Sequence, residues 1–352
     1  MTAIRQVEGV AKLKAQRTTS QTRRAVISAG LGCVVVAVFS VSLMWGEVFY
    51  HPAQVWAVLA GEQVPGASYA VGVLRLPRAV LGLVAGLAFG AAGVVFQTLL
   101  RNQLASPDII GISSGASAAG VIGIVFFGWG QMMVSAIALI SALGVALLIY
   151  VVSYRGGFSG VRLILSGIGV AAMLNSTVTY SLSQADTWDL PTATRWLTGS
   201  LNGATWERAL PLIITVAVLL PVLCVFTRNI NTLRLGDALA SSLGVNVACT
   251  RIVVIIAAVA LIAVATAACG PIAFVAFVAG PIAARLLGPS ASLVVPSALI
   301  GALIVLSADL LGQYFLGTRY PVGVITGALG APFLIYMLMR SHRVTGRTGQ
   351  NS

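Results

Sequence analysis

RLPRAVLGLVAGLAFGAAGVVFQTLLRNQLASPDIIGISSGAS, residues 75–117, decides how the rest of the chain is read. Arg75 and Arg78 flank Leu76 and Pro77, and an apolar run follows in which Gly82, Gly86 and Gly90 recur every fourth residue. That spacing puts the three glycines on one helix face, where the missing Cβ lets a second backbone approach closely. The run ends in a short polar turn from Arg101 to Asp108, and a second apolar run begins at once. Two such runs with a tight polar turn between them describe helices that cross a bilayer in opposite directions.

Composition points the same way. Of 352 residues, 58% are apolar and 9% charged, and the mean hydropathy of +0.97 is too high for a water-soluble globule of this size. The net charge of +12 does not indicate nucleic acid, because the basic residues sit between apolar runs instead of clustering on one solvated face. Membrane lipid is the expected surrounding. Cys33, Cys224, Cys249 and Cys269 lie in or beside apolar stretches without a Cys-x-x-Cys pattern, and read as buried thiols. His51 and His342 are far apart, so neither a protein-built metal site nor a cofactor is expected.

Outward from the opening stretch, ten apolar runs can be placed, at 25–45, 76–100, 109–129, 132–154, 163–182, 209–227, 252–269, 271–287, 293–311 and 322–339. Each is near the roughly 20 residues that a helix needs to span a bilayer. The fold class is therefore an all-α polytopic membrane protein with a ten-span domain over 25–339, a basic tail over 1–24 and a second tail over 340–352. Residues 228–251 are too polar to span and form the longest inner loop, while 183–208 carries Trp188, Trp196 and Trp206 and lies at an interface. Ten spans put both termini on one side. Sixteen of the 21 Lys and Arg fall on that side, with Arg75, Arg78, Arg195, Arg208 and Arg319 opposite, so the positive-inside rule makes both termini cytoplasmic. Two five-helix halves would then be inverted relative to each other.

Several separate motifs in order carry a resemblance: RLPR; Gly93 and Gln97 followed by RNQLASPDIIGISSGAS; LGDALASSLGVN; GPIAFVAFVAGPIAARLLG; and PVGVITGALGAPFLIYML. Over residues 70 to 340 the chain resembles the FecCD-type permeases, the bacterial cytoplasmic-membrane subunits of ATP-driven importers for ferric siderophores, haem and cobalamin. The resemblance implies ten spans, a second permease subunit that is identical or different, separate ATP-binding cassette ATPase subunits, and an extracytoplasmic substrate-binding protein. Three positions depart from the family pattern. Gln103 replaces a proline, Pro281-Ile282 replaces a Pro-His pair, and Gln313 replaces an arginine, while Pro107 is retained. With RWLTGSLNGATW at 195–206, these features resemble the siderophore branch most, with haem or cobalamin as the alternative cargo.

The residues also bear on the energy source. A phosphate-cradling loop needs a lysine after glycine, but Lys12 and Lys14, the only lysines, follow Ala11 and Leu13. A stand-alone secondary carrier, the rival class, would need ionisable groups near the midplane, and Asp309 alone lies inside a span, toward its outer end. The spans lack the clusters of His, Glu or Asp that an integral-membrane enzyme would use, so no enzymatic activity is expected.

Four further groups stand out. Leu235, Leu239 and Leu243 are four apart on a short segment bracketed by Gly236 and Gly244. This fits an ordinary interfacial helix, and the resemblance makes it the helix that couples to the ATPase, with Asp237 as a polar contact. Arg75, Arg78 and Arg319 either anchor span ends by snorkelling or, as the resemblance implies, meet carboxylates of the binding protein. Asn175, Thr179 and Ser183 form a polar stripe that serves either as interhelical glue or as the wall of the translocation path. Gly270-Pro271 and Gly280-Pro281 should break or kink the eighth span at its start and middle.

Overall fold

The computed structural model describes residues 2–103, 105–106, 111–153, 160–288 and 292–345, and all regular structure among them is helical. The helices are α1 (Thr2–Met44), α2 (Pro52–Leu59), α3 (Leu76–Leu99), α4 (Ile112–Phe127), α5 (Gln131–Ser153), α6 (Gly160–Ser183) and α7 (Leu190–Thr198). They continue as α8 (Trp206–Val225), α9 (Thr227–Leu233), α10 (Asp237–Ser242), α11 (Val247–Cys269), α12 (Val275–Leu287), α13 (Val294–Tyr314) and α14 (Val322–Thr345). A π-helical stretch, Ser68–Arg75, runs directly into α3.

Each of the apolar runs coincides with a helix. By length and apolarity, seven segments can cross a membrane: Thr22–Met44, Ser68–Leu99, α5, α6, α8, α11 and α13. The runs in α4, α12 and α14 are shorter apolar helices. For α12 the shortening has a local cause. The backbone between Cys269 and Val275 is unwound, with Gly270 at φ 75° and Phe274 at φ 66°.

The N-terminal tail is not separate from the first span, because α1 runs continuously from Thr2. Pro107, Asp108, Arg155 and Arg347 lie outside the described residues. The four cysteines are free, but only Cys269 is buried. Cys33, Cys224 and Cys249 lie on the surface of the single chain, because α1, α8 and the start of α11 are peripheral.

α3 is the central post. Within Ser68–Leu99, 83% of the apolar window is buried, against 11% for the span of α1. It packs on α13, α11, α12 and α8. A Cβ at Gly86 would overlap the backbone of Gly301 and Ala302 on α13, and one at Gly90 would overlap that of Ser297 and Ala298. Gly301 faces back onto Gly86 and Gly90, so glycines on both helices permit backbone-to-backbone contact. Gly82 is looser, its nearest neighbour being Leu201 Cδ1 at 2.9 Å from a Cβ placed there. Gly93 repeats the close approach against Ala276 of α12.

Of the break or kink expected at Gly280-Pro281, a break does not occur, since α12 runs through Pro281 to Leu287. Proline has no N–H to return to the carbonyl four residues back, which is that of Phe277. Gln97 Nε2, from α3, donates to that oxygen at 2.9 Å. Its amide sits where a Cβ on residue 280 would go, so Gly280 makes room for the donor that Pro281 makes necessary.

Candidate functional site

Two ends of the bundle and one lateral cavity carry the polar chemistry. At the first end, the backbone carbonyls at the C-terminus of α1 lack helical partners. Arg75 supplies them, donating to the Leu43 and Met44 carbonyls at 3.0 and 2.9 Å and to that of Val48 at 2.7 Å. Arg208 does the same for α11, donating to the Ala268 carbonyl from Nε at 3.0 Å. Cations at helix C-termini also meet the negative end of the dipole.

Arg78 is used differently. Its Nε and one terminal nitrogen each donate to Asp309 of α13 at 2.7 Å, and the other donates to Asn202 Oδ1 at 2.8 Å. Gln313 Nε2 donates to the same Asn202 oxygen at 3.3 Å. The pair is mostly buried, with side-chain exposures of 20% and 13%. Arg319 is 63% exposed and pairs with Glu47. Arg75, Arg78 and Arg319 thus line one cavity of about 490 Å3, with Tyr50, Asn202, Gln313 and Glu47. Their intramolecular partners, above all Asp309 and Asn202, were missed from sequence. The one signal available was Asp309 as an acid within a span.

A larger cavity, about 730 Å3, opens beside α4 and α6. Ser106, Ser113, Ser114, Ser117, Asn175 and Thr179 contribute polar groups to a lining that is otherwise largely apolar, with Pro271, Phe274, Phe277 and Leu334 among it. Thr179 Oγ1 is turned back to the Asn175 carbonyl at 3.0 Å. Ser183 is not brought to this cavity. It is exposed and donates to the Tyr180 carbonyl at 2.7 Å. The serines of SSGAS were also missed, although Ser113 and Ser117 lie one helical turn apart on one face.

At the opposite end, α10 is short and preceded by Gly236 at φ 109°, with Gly244 at φ 84° after it. Leu235, Leu239 and Leu243 are 58%, 57% and 64% exposed. Asp237 accepts from Arg101 at 2.9 Å and from Arg251 at 3.0 and 2.9 Å, which ties α10 to the end of α3 and to α11. Arg234 donates to Thr98 Oγ1 at 3.2 Å, and burial lowers its pKa from the ordinary arginine value.

Residues 34–340 match the FecCD transport family. The chain is 37% identical over 312 residues to the ferric enterobactin transport system permease protein FepG of Escherichia coli, covering 88% of this chain and 94% of that one. It is 38% identical over 311 residues to the achromobactin transport system permease protein CbrC of Dickeya dadantii, covering 87% and 89%. A solved metal-chelate type ABC transporter in an inward-facing conformation superimposes with a TM-score of 0.80 at 26% identity, over 90% of this chain and 99% of the other. On this similarity over most of its length, the chain belongs to the FecCD transport family.

Proposed function

We propose that the chain is the membrane-spanning permease subunit of an ATP-driven importer and translocates a ferric siderophore. The observation that carries this is the family membership together with two near-full-length relatives, both named as permeases for iron chelates. The chain carries no glycine-lysine phosphate loop, so hydrolysis belongs to separate ATPase subunits. The reading takes all ten apolar helices as spans, in two inverted five-helix halves, with both termini and the α10 end in the cytoplasm of a bacterial cell.

Each polar feature then has a task. Leu235, Leu239 and Leu243 would enter a groove of the ATPase, since an exposed apolar stripe of this kind fits helix-in-groove docking. Asp237, engaged by two arginines, would hold α10 to the bundle so that the movement of one reaches the other. The cavity lined by Arg75, Arg78 and Arg319 would receive carboxylates of the binding protein. Arg319 is the most accessible, and at Arg78 a docking carboxylate would exchange with Asp309. Asn175 and Thr179 would form part of the path, which suits a bulky polar chelate that must pass without being held tightly. The exposed apolar residues of α6, Leu165, Ile168 and Met173 among them, would meet a second permease.

The test is reconstitution in liposomes with the ATPase subunits and the ligand-loaded binding protein. ATP-dependent accumulation of the ferric siderophore is expected. Uptake by this chain alone under an ion gradient would overturn the proposal in favour of a secondary carrier.

A further inference from the structure

Phe274 stands at a boundary that the proposed function does not use. Outside glycine, only Phe274 and Arg101 have positive φ among the described residues, and for a bulky aromatic this backbone is a marked outlier. The residue ends the unwound stretch and opens α12, with its carbonyl accepting from Phe277 N at 3.1 Å and Val278 N at 2.9 Å. The other side of the stretch is pinned too. Ser200 N donates to the Cys269 carbonyl at 2.7 Å, and Gly270 lies so close to the Trp196 carbonyl and Gly199 that a side chain there would collide. Held from both directions, the backbone delivers the Phe274 ring against α14, where Gly330 alone leaves space for it.

Phe274 lines two cavities. One carries Ser113, Ser117, Asn175 and Thr179 on a lining that is otherwise largely apolar. The other is a cleft of about 300 Å3 between α12, α13 and α14, lined mainly by apolar residues such as Val278, Ile304, Leu311 and Phe333. Phe274 is the only residue common to both linings. The polar groups of the first suit water and a hydrated chelate, whereas the apolar cleft suits acyl chains.

We propose that Phe274 is the seal between them, its ring keeping water and the polar cargo of the translocation path out of the cleft along α14. The proposal rests on the reading of the first cavity as part of that path. The strained backbone fits this role, because strain of this kind persists where the surrounding structure holds a residue in place.

The test uses the assembled transporter in liposomes, built on a chain with its four cysteines replaced by serine and carrying Ser307→Cys in the apolar cleft. The probe is a charged, membrane-impermeant thiol reagent. With Phe274 present, Cys labelling should be slow. Phe274→Ala should raise the rate at least tenfold, and Phe274→Tyr should keep it slow. Phe274→Gly removes the ring and relieves the backbone, so it should label as fast as Phe274→Ala while melting at a higher temperature, which separates loss of the seal from misfolding. Equal labelling with and without the ring overturns the seal. Thr179→Cys, in the first cavity, reports independently on the path reading, because a thiol there should react whether or not the ring is present.

Discussion

Gln97 Nε2 donates to the Phe277 carbonyl, the oxygen that Pro281 leaves without a helical donor. Both residues are buried between α3 and α12. Replacing Gln97 by Ala should therefore cost about 1–3 kcal/mol, the usual penalty for a buried polar group left unpaired. The cost should shrink in a Pro281→Ala background, where the restored N–H serves Phe277 within the helix. Thermal melts in detergent of the two singles and the double variant measure this, and an equal cost in both backgrounds would count against it.

Arg78 and Asp309 make a mostly buried pair, so removing one partner leaves the other as an uncompensated charge. Either Arg78→Ala or Asp309→Ala should destabilise by about 3–5 kcal/mol, and Arg78→Leu with Asp309→Leu together by less than either single change. Melting temperatures in detergent read the difference. A double variant no better than the singles would mean that the pair does not act as a unit.

Arg319 is exposed, and an exposed pair such as Arg319–Glu47 contributes about 0–1 kcal/mol. Arg319→Glu should leave membrane yield and melting temperature near those of the parent, and should lower binding-protein affinity at least tenfold. Surface-binding measurements on the solubilised transporter decide the matter, and undiminished docking would remove Arg319 from the interface.

The glycines of α3 should not tolerate alanine equally. Gly86→Ala and Gly90→Ala drive a methyl into backbone of α13, whereas Gly82→Ala meets the movable end of Leu201. Overpacking typically costs about 1–3 kcal/mol and more when the obstacle cannot shift. The expected order of folded yield is Gly82→Ala above Gly86→Ala and Gly90→Ala. Size-exclusion profiles and melts would show it, and a uniform response would place the glycine contacts elsewhere.

At the other end, Leu239→Glu should leave the permease folded and abolish the stimulation of ATP hydrolysis by loaded binding protein. Asp237→Ala should weaken coupling by freeing α10, because it removes the carboxylate shared by Arg101 and Arg251. Full coupling in both variants would set the Leu235–Leu243 stripe aside as the contact with the ATPase.

The helical, membrane-embedded class, the approximate place of each apolar helix, the glycine face of α3 and the missing phosphate loop were all legible in the sequence. They rest on local quantities: the length of an apolar run, a four-residue spacing, the presence of one residue type after another. Pairings between distant residues were not legible. Arg78 reads as an exposed outer cation until Asp309, 231 positions away, is seen to hold it. Pro281 reads as a helix breaker until Gln97, 180 positions from Phe277, is seen to satisfy the Phe277 carbonyl that Pro281 abandons. Asn175, Thr179 and Ser183 share one spacing, yet only the first two line the cavity beside α4 and α6, while Ser183 is exposed with its hydroxyl on the Tyr180 carbonyl. A bilayer allows backbone to be satisfied within each helix, so local sequence is enough to specify the helices. Which charges and amides meet depends on how those helices are set side by side, and that was decided by tertiary packing alone.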